Sequence, residues 1–288
     1  MGIIFGLLAA ATYGAADFIG GRVSRRADVF TVVLLSQLLA AIPLALVIPF
    51  TAGNGPTMDA LAWGGAAGIA GGTGVLFLYR GLAVGRMTVV APVTGVLAAA
   101  APVVFGLAIG ERPGPVALVG VGIALASVAL VSSAPPPDTE ADADLTADIP
   151  RWKASGMPLA VGAGLSFGAF FILVERAGDD AAIWPLIGMR GASITLVAIV
   201  ALVLRRSIRP PAGTIVPIGA SGVLDIAANV LYLLATRSGL LTLVAVLTSM
   251  YPAVTVLLAR FLLNERFVRT QLLGLGLAAA SIVLIVIG

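Results

Sequence analysis

The chain has 288 residues, 59% of them hydrophobic and only 11% charged, with a mean hydropathy of +1.09. About a quarter of the residues of an ordinary soluble domain are charged, so this composition excludes that class and indicates a polytopic membrane protein. Cysteine and histidine are both absent, which removes disulfides, thiol nucleophiles, Cys/His metal sites and histidine general-base catalysis, and the net charge of +3 is too scattered among short loops to form a nucleic-acid patch.

A helix needs roughly 20 apolar residues to cross the hydrocarbon core. By that measure helices are predicted near 2–21, 29–50, 60–84, 87–109 and 114–133, and again near 155–176, 181–204, 213–237, 239–262 and 267–287. The first lacks a basic leading region and runs into Gly20, Gly21 and Arg22, so it reads as a spanning helix and not as a cleaved leader. It carries Tyr13 and Asp17 four residues apart on one face. Asp17 is near the helix end, which leaves a cavity role, snorkelling and pairing with Arg22 all open. The second helix holds Gln37. The third has Gly64, Gly68 and Gly72, successive small-xxx-small steps that let helices approach closely. The fourth contains Pro92 and Pro102 and ends in Gly110-Glu111-Arg112, where the charged pair reads as a cap and anchor.

Between the fifth and sixth helices lies "APPPDTEADADLTADIPRWK" (134–153), rich in acid and proline. It reads as a flexible tether, ending in Arg151, Trp152 and Lys153 as an interfacial anchor. The chain thus divides into a five-helix unit at 1–133, a linker at 134–153 and a second five-helix unit at 154–288.

The second unit carries most of the polar residues placed in apolar surroundings. Glu175, followed by Arg176, reads as interfacial. Arg190 lies inside the seventh helix with Ser193 one turn on. An arginine keeps its proton, so it needs a carboxylate, several carbonyls or an anionic substrate; a structural tie is the simplest of these. In the eighth helix, "GVLDIAANVLYLL" (222–234) puts Asp225, Asn229 and Tyr232 on one face. A carboxylate at mid-helix costs about 2.5–3.5 kcal/mol on insertion scales and usually faces a cavity or a partner. Asp225 is therefore a candidate proton-coupling group or ligand for a cationic moiety, with an interhelical hydrogen bond as the alternative. Arg190 and Asp225 either bind the two ends of a zwitterion or pair with each other. The ninth helix offers Thr248, Tyr251 and Thr255 around Pro252, a face suited to a substrate wall, a gate or helix packing.

The two units match. Laying residue n over residue n+154 pairs Thr88 with Thr242, Thr94 with Thr248 and Glu111-Arg112 with Glu265-Arg266 without a gap. "GVGIALAS" (120–127) falls on "GLGLAAAS" (274–281), and "YGAA" (13–16) on "FGAF" (167–170). Such a register indicates internal duplication. Five helices per unit is an odd number, so the second unit enters the membrane from the opposite side. The expected fold is an all-α polytopic membrane protein with ten transmembrane helices as two inverted five-helix repeats. One set of loops holds Arg22, Arg25, Arg26, Arg86, Arg151, Lys153, Arg205, Arg206, Arg209, Arg266 and Arg269; the other holds mainly Arg112, Arg176 and Arg237. The positive-inside rule puts the first set in the cytoplasm and both termini outside.

Gly110-Glu111-Arg112 with Gly120, and Asn264-Glu265-Arg266 with Gly274, close the fourth and ninth helices at matching places. With the proline-bearing "YPAVTVLLARFLLNER" from Tyr251, this pattern resembles the EamA family of the drug/metabolite transporter superfamily. The first half departs from it, having Ala98 opposite Pro252. The resemblance implies a multi-pass carrier of the cytoplasmic (inner) membrane, usually an exporter, with a cavity between the repeats. Relatives of that kind handle amino acids, nucleobases and other small solutes.

The expected function is a secondary transporter exporting a small amphipathic metabolite by alternating access, driven by a gradient because no nucleotide-binding motif is present. Protons are the candidate coupling ion. The substrate and coupling candidates are Asp225, Asn229, Tyr232, Asp17, Tyr13, Arg190, Tyr251 and Thr248. No catalytic constellation, metal site or cofactor motif is found. The partners expected are the small-molecule substrate and the lipid bilayer; a monomer suffices to build the cavity, and a homodimer is compatible with it. An uncoupled facilitator or channel and, less well supported, a membrane-embedded enzyme are the competing readings.

Overall fold

The computed structural model describes residues 1–24, 26–51, 55–84, 87–132, 156–177, 182–263 and 269–288. The predicted tether at 134–153 with its Arg151-Trp152-Lys153 anchor, Arg25, Arg86 and the Asn264-Glu265-Arg266 motif lie outside the described residues.

The first half consists of α1 (Gly2–Ser24), α2 (Val29–Thr51), α3 (Met58–Val84), α4 (Met87–Ala108) and α5 (Pro115–Ser132). The second consists of α6 (Met157–Glu175), α7 (Trp184–Val203), α8 (Ile215–Thr236), α9 (Leu241–Thr248), α10 (Tyr251–Leu263) and α11 (Arg269–Ile287). Lipid offers no partner to a backbone N–H or C=O, so each apolar segment must satisfy its own, which the helix alone does within one segment. Seven helices among the described residues are long and apolar enough to cross a bilayer, and three further apolar stretches fall in the fourth, fifth and ninth spans. Large side chains such as Ile42, Leu46, Val104, Leu202, Val216 and Val283 face outward. Apolar residues on both the inner and outer faces are what a bundle in lipid requires.

The ninth span differs from the single helix expected over 239–262. It is divided at Ser249 and Met250 into α9 and α10. Pro252 has no N–H to give the carbonyl one turn back, and its ring crowds that turn. As the second residue of α10 it occupies a position where a missing N–H is harmless. The fourth span continues unbroken through Pro92 and Pro102, so the two halves treat proline differently.

The halves pack by exchange. α1 lies on α8 as α6 lies on α3, and α4 lies on α6 as α9 and α10 lie on α1. α3 packs on α7 as α8 packs on α2, and α5 and α11 pack on each other. Glycines enforce the same relation at atomic scale. A Cβ at Gly68 would run into the backbone carbonyl of Met189; one at its register mate Gly222 would run into that of Ser36. Gly120 abuts Leu284 and Ile285, whereas Gly274 abuts Leu130 and Val131, the same pair of positions 154 residues earlier. These contacts are the duplication read from the sequence, expressed as packing.

Candidate functional site

The polar faces of α1 and α8 meet because small residues let the two helices close together. Ser221 Oγ sits 2.9 Å from the place a Gly20 Cβ would occupy, and it donates to the Ala16 carbonyl at 2.9 Å. One residue further along α8, Gly222 lets α2 approach; Gly68 does the same for α3 and α7, next to Arg190. The four contacts draw α1, α2, α3, α7 and α8 around one cavity of about 180 Å³.

A chain of hydrogen bonds runs along its polar wall. Arg190 Nη2 donates to Asp225 Oδ2 at 2.7 Å as an ion pair. Asn229 Nδ2 donates to the Asp225 carbonyl at 2.7 Å and to Oδ2 at 3.4 Å. Tyr13 Oη donates to Asn229 Oδ1 at 2.8 Å. Its ring meets Tyr251 edge-on, with centroids 6.3 Å apart. The side chain of Arg190 is only 6% exposed, against 39% for Asp225, so the guanidinium is the packed partner and the carboxylate the one that faces the cavity. Asp17 also lines the cavity, and no arginine or lysine pairs with it among the described residues. Arg22, its possible partner on sequence grounds, lines a separate hollow with Phe18 and Thr214. Two buried polar atoms of the lining, Gln37 Oε1 and Arg190 Nε, have no partner among the described residues.

Six of the eight candidates read from the sequence line this cavity: Tyr13, Asp17, Arg190, Asp225, Asn229 and Tyr251. Tyr232 and Thr248 do not. Tyr232 follows Asp225 by seven residues, roughly 10 Å along the helix at 1.5 Å per residue. That carries it past the cavity and beneath Phe170 and Phe171, where its hydroxyl donates to the Phe171 carbonyl at 2.9 Å. Thr248 lies before the break in the ninth span and donates to the Gly6 carbonyl at 3.4 Å. Thr255 likewise ties to α1, through the Gly14 carbonyl at 3.1 Å. Of the ninth-span face, Tyr251 alone lines the cavity.

The opposite wall was not anticipated. It consists of Phe167, Phe170 and Phe171 of α6 with Gly71 and Val75 of α3. The 154-residue register relates it to the polar wall: Tyr13 to Phe167, Asp17 to Phe171, Gly71 to Asp225 and Val75 to Asn229. All eight of these residues line the cavity. The register was the available signal. Applied to Tyr13 and Asp17, it leads directly to the two phenylalanines.

A helical membrane protein of two like halves around one polar cavity is the class that the fold and site define. The EamA-like transporter family matches residues 1–133 and 154–287, and the chain belongs to that family. No curated protein matches the chain significantly. A solved structure described only as "Crystal structure of protein" is similar in fold, with a TM-score of 0.77 at 16% identity over 98% of this chain and 95% of that one.

Proposed function

We propose that the protein is a secondary carrier of the cytoplasmic membrane that exports a small amphipathic solute by alternating access. The observation that carries the reading is the composition of the cavity. Both halves contribute to it, and positions matched by the internal register line it together. A site between two like halves is open to one side of the membrane or the other as the halves rock. With five spans each, the halves enter the bilayer in opposite senses, which is the arrangement such rocking needs. Asp17, Asp225, Asn229, Tyr13, Tyr251 and Arg190 form the wall that meets the polar part of the solute, and Asp17 or Asp225 carries the coupling proton. Tyr232 and Thr248, once candidates for the same role, act as packing groups. The excess of arginine on one set of loops orients that face to the cytoplasm and both termini outside.

The test is transport by the full chain in proteoliposomes, with amino acids, nucleobases and organic cations offered with and without an imposed pH gradient. Saturable flux of at least one solute, accelerated by the same solute on the far side, is the expected result. Flux that stays linear with concentration points to a facilitator, and an absence of flux for every class removes the reading. If the gradient drives wild type but fails to drive Asp225→Asn or Asp17→Asn, the carboxylate removed in the failing variant is the coupling group. If both variants respond as wild type does, the coupling assignment is wrong and the carrier reading remains.

A further inference from the structure

The two walls of the cavity are related by an internal repeat but are chemically opposite. Where α1 presents Tyr13 and Asp17, α6 presents Phe167 and Phe171; where α8 presents Asp225 and Asn229, α3 presents Gly71 and Val75. A duplicated site would begin with equal walls, so the present difference separates a hydrogen-bonding side from an apolar side. The phenylalanines are seated on glycines. A Cβ at Gly74 would stand 2.9 Å from the Phe167 ring, and one at Gly71 3.2 Å from that of Phe170. The bare backbone of α3 thus lets the two rings pack close against it and leaves an apolar wall.

The charges are unequal too. Among the described residues, three charged side chains line the cavity: Asp17, Asp225 and Arg190. Arg190 is committed to Asp225 at 2.7 Å, which neutralises one carboxylate. Asp17 is exposed to the cavity and has no cationic partner among the described residues. An anionic solute would meet this carboxylate, and the guanidinium that could serve as its countercharge is already neutralised by Asp225. The carboxylate of a zwitterion would meet the same balance of charge. A cation meets a net negative lining. The Tyr13 and Tyr251 rings line the same cavity, and aromatic rings attract cations.

From these observations we infer that the cavity selects a monocation carrying a flat or slender apolar group, its charged head against Asp17 and its body against Phe167 and Phe170. The inference rests on the carrier reading and names the class of solute carried.

The test uses four probes on the full chain in proteoliposomes. 2-Phenylethylammonium has the proposed head and body. Phenylalanine adds a carboxylate to it, 3-phenylpropionate has the body with an anionic head, and ethylammonium has the head without the body. 2-Phenylethylammonium is expected to bind and be transported best. Asp17→Asn should weaken it by about ten-fold or more, as loss of a charge-assisted contact does. Phe167→Ala should weaken it by about ten-fold as well, through lost apolar burial, while changing the weaker binding of ethylammonium less than about two-fold, since that probe has no ring to bury. Thermal unfolding of each variant checks that it has folded, and Phe167→Leu, which keeps an apolar wall, replaces Phe167→Ala if the latter has not.

Tighter binding of phenylalanine or 3-phenylpropionate, or indifference of 2-phenylethylammonium to Asp17→Asn, overturns the inference. If none of the four probes binds but a nucleobase or another solute is transported, the carrier reading stands and this inference falls. If no solute of any class moves, both fall.

Discussion

Glu111, at the end of the first half's fourth span, caps a helix of the second half: Oε2 accepts the backbone N–H of Thr242 at 2.8 Å and also the Thr242 hydroxyl. Oε1 accepts the N–H of Leu241 at 2.6 Å. The turn that brings the carboxylate there is set by Gly110, whose φ of 101° is open to glycine and strained for other residues. Glu111 N–H bonds to the Gly106 carbonyl at 2.9 Å and Gly110 N–H to that of Leu107 at 3.2 Å, which is the Schellman closure of α4. Gly106 leaves room for the carboxylate beside Thr242. The first N–H groups of α9 would otherwise lack acceptors, and the helix dipole favours an anion there. Glu111→Ala is expected to lower stability by about 1–2 kcal/mol, and Glu111→Gln by less because one oxygen acceptor remains. Thermal unfolding in detergent micelles measures both; an Ala variant as stable as wild type removes the cap as a stabilising contact.

Gly68 and Gly222 are expected to be equally intolerant of alanine. Each would drive a Cβ into a backbone carbonyl, that of Met189 or that of Ser36. A backbone atom cannot rotate aside, so the helices must separate, and overpacking of this kind costs about 1–3 kcal/mol or more. Gly122 and Gly276, also in mid-helix, would meet nothing within 4 Å. Alanine at either should be neutral or slightly stabilising because alanine is the better helix former. A stability scan of the four variants checks the contrast. Similar behaviour of all four would mean that the two tight crossings are not set by glycine.

The periodicity of the sequence was enough to locate the spans and the duplicated halves, because lipid leaves each apolar stretch little choice but a helix. It also gave the angular position of polar residues on each helix. Depth was harder to read. Asp225, Asn229 and Tyr232 share a face, yet Tyr232 lies past the cavity and bonds to Phe171. The sequence puts Thr248 and Tyr251 on one face of a continuous helix, but the break at Ser249 and Met250 separates them. Glu111 reads as a cap for its own neighbourhood; that it reaches α9 depends on how the halves meet. The pairing of Arg190 with Asp225 is one of two readings open to the sequence, and only the 2.7 Å contact between the side chains distinguishes them.

Within that pair, the two partners should respond unequally to removal. Arg190 is packed and Asp225 partly open to the cavity. Asp225→Ala strands a buried guanidinium, a change that costs about 3–5 kcal/mol when a buried pair loses one member. Arg190→Ala leaves a carboxylate that the cavity can hydrate and that Asn229 still approaches, so its cost should be smaller. The double variant should be more stable than the sum of the single losses predicts. Unfolding of the four proteins completes the cycle, and strict additivity would show that the 2.7 Å contact is not energetically coupled.

Two hydrogen-bonded tyrosine hydroxyls, one buried and one in the cavity wall, provide the sharpest separation of packing from binding. Tyr232 is fully buried, and its hydroxyl bonds to a backbone carbonyl outside the cavity. Tyr232→Phe removes that donor and should cost about 1 kcal/mol of stability, while leaving the half-saturation concentration for a transported solute unchanged. Tyr13 lies in the cavity wall, and its hydroxyl holds the Asn229 carboxamide at 2.8 Å. Tyr13→Phe frees that carboxamide to turn and loosens its contact with Asp225, so half-saturation should rise by about three- to ten-fold, the effect of one modest hydrogen bond. Both variants are measured for thermal stability and for concentration-dependent uptake. If Tyr232→Phe shifts half-saturation as far as Tyr13→Phe does, the polar wall extends beyond the cavity along α8, and Tyr232 returns to the binding face on which the sequence first put it.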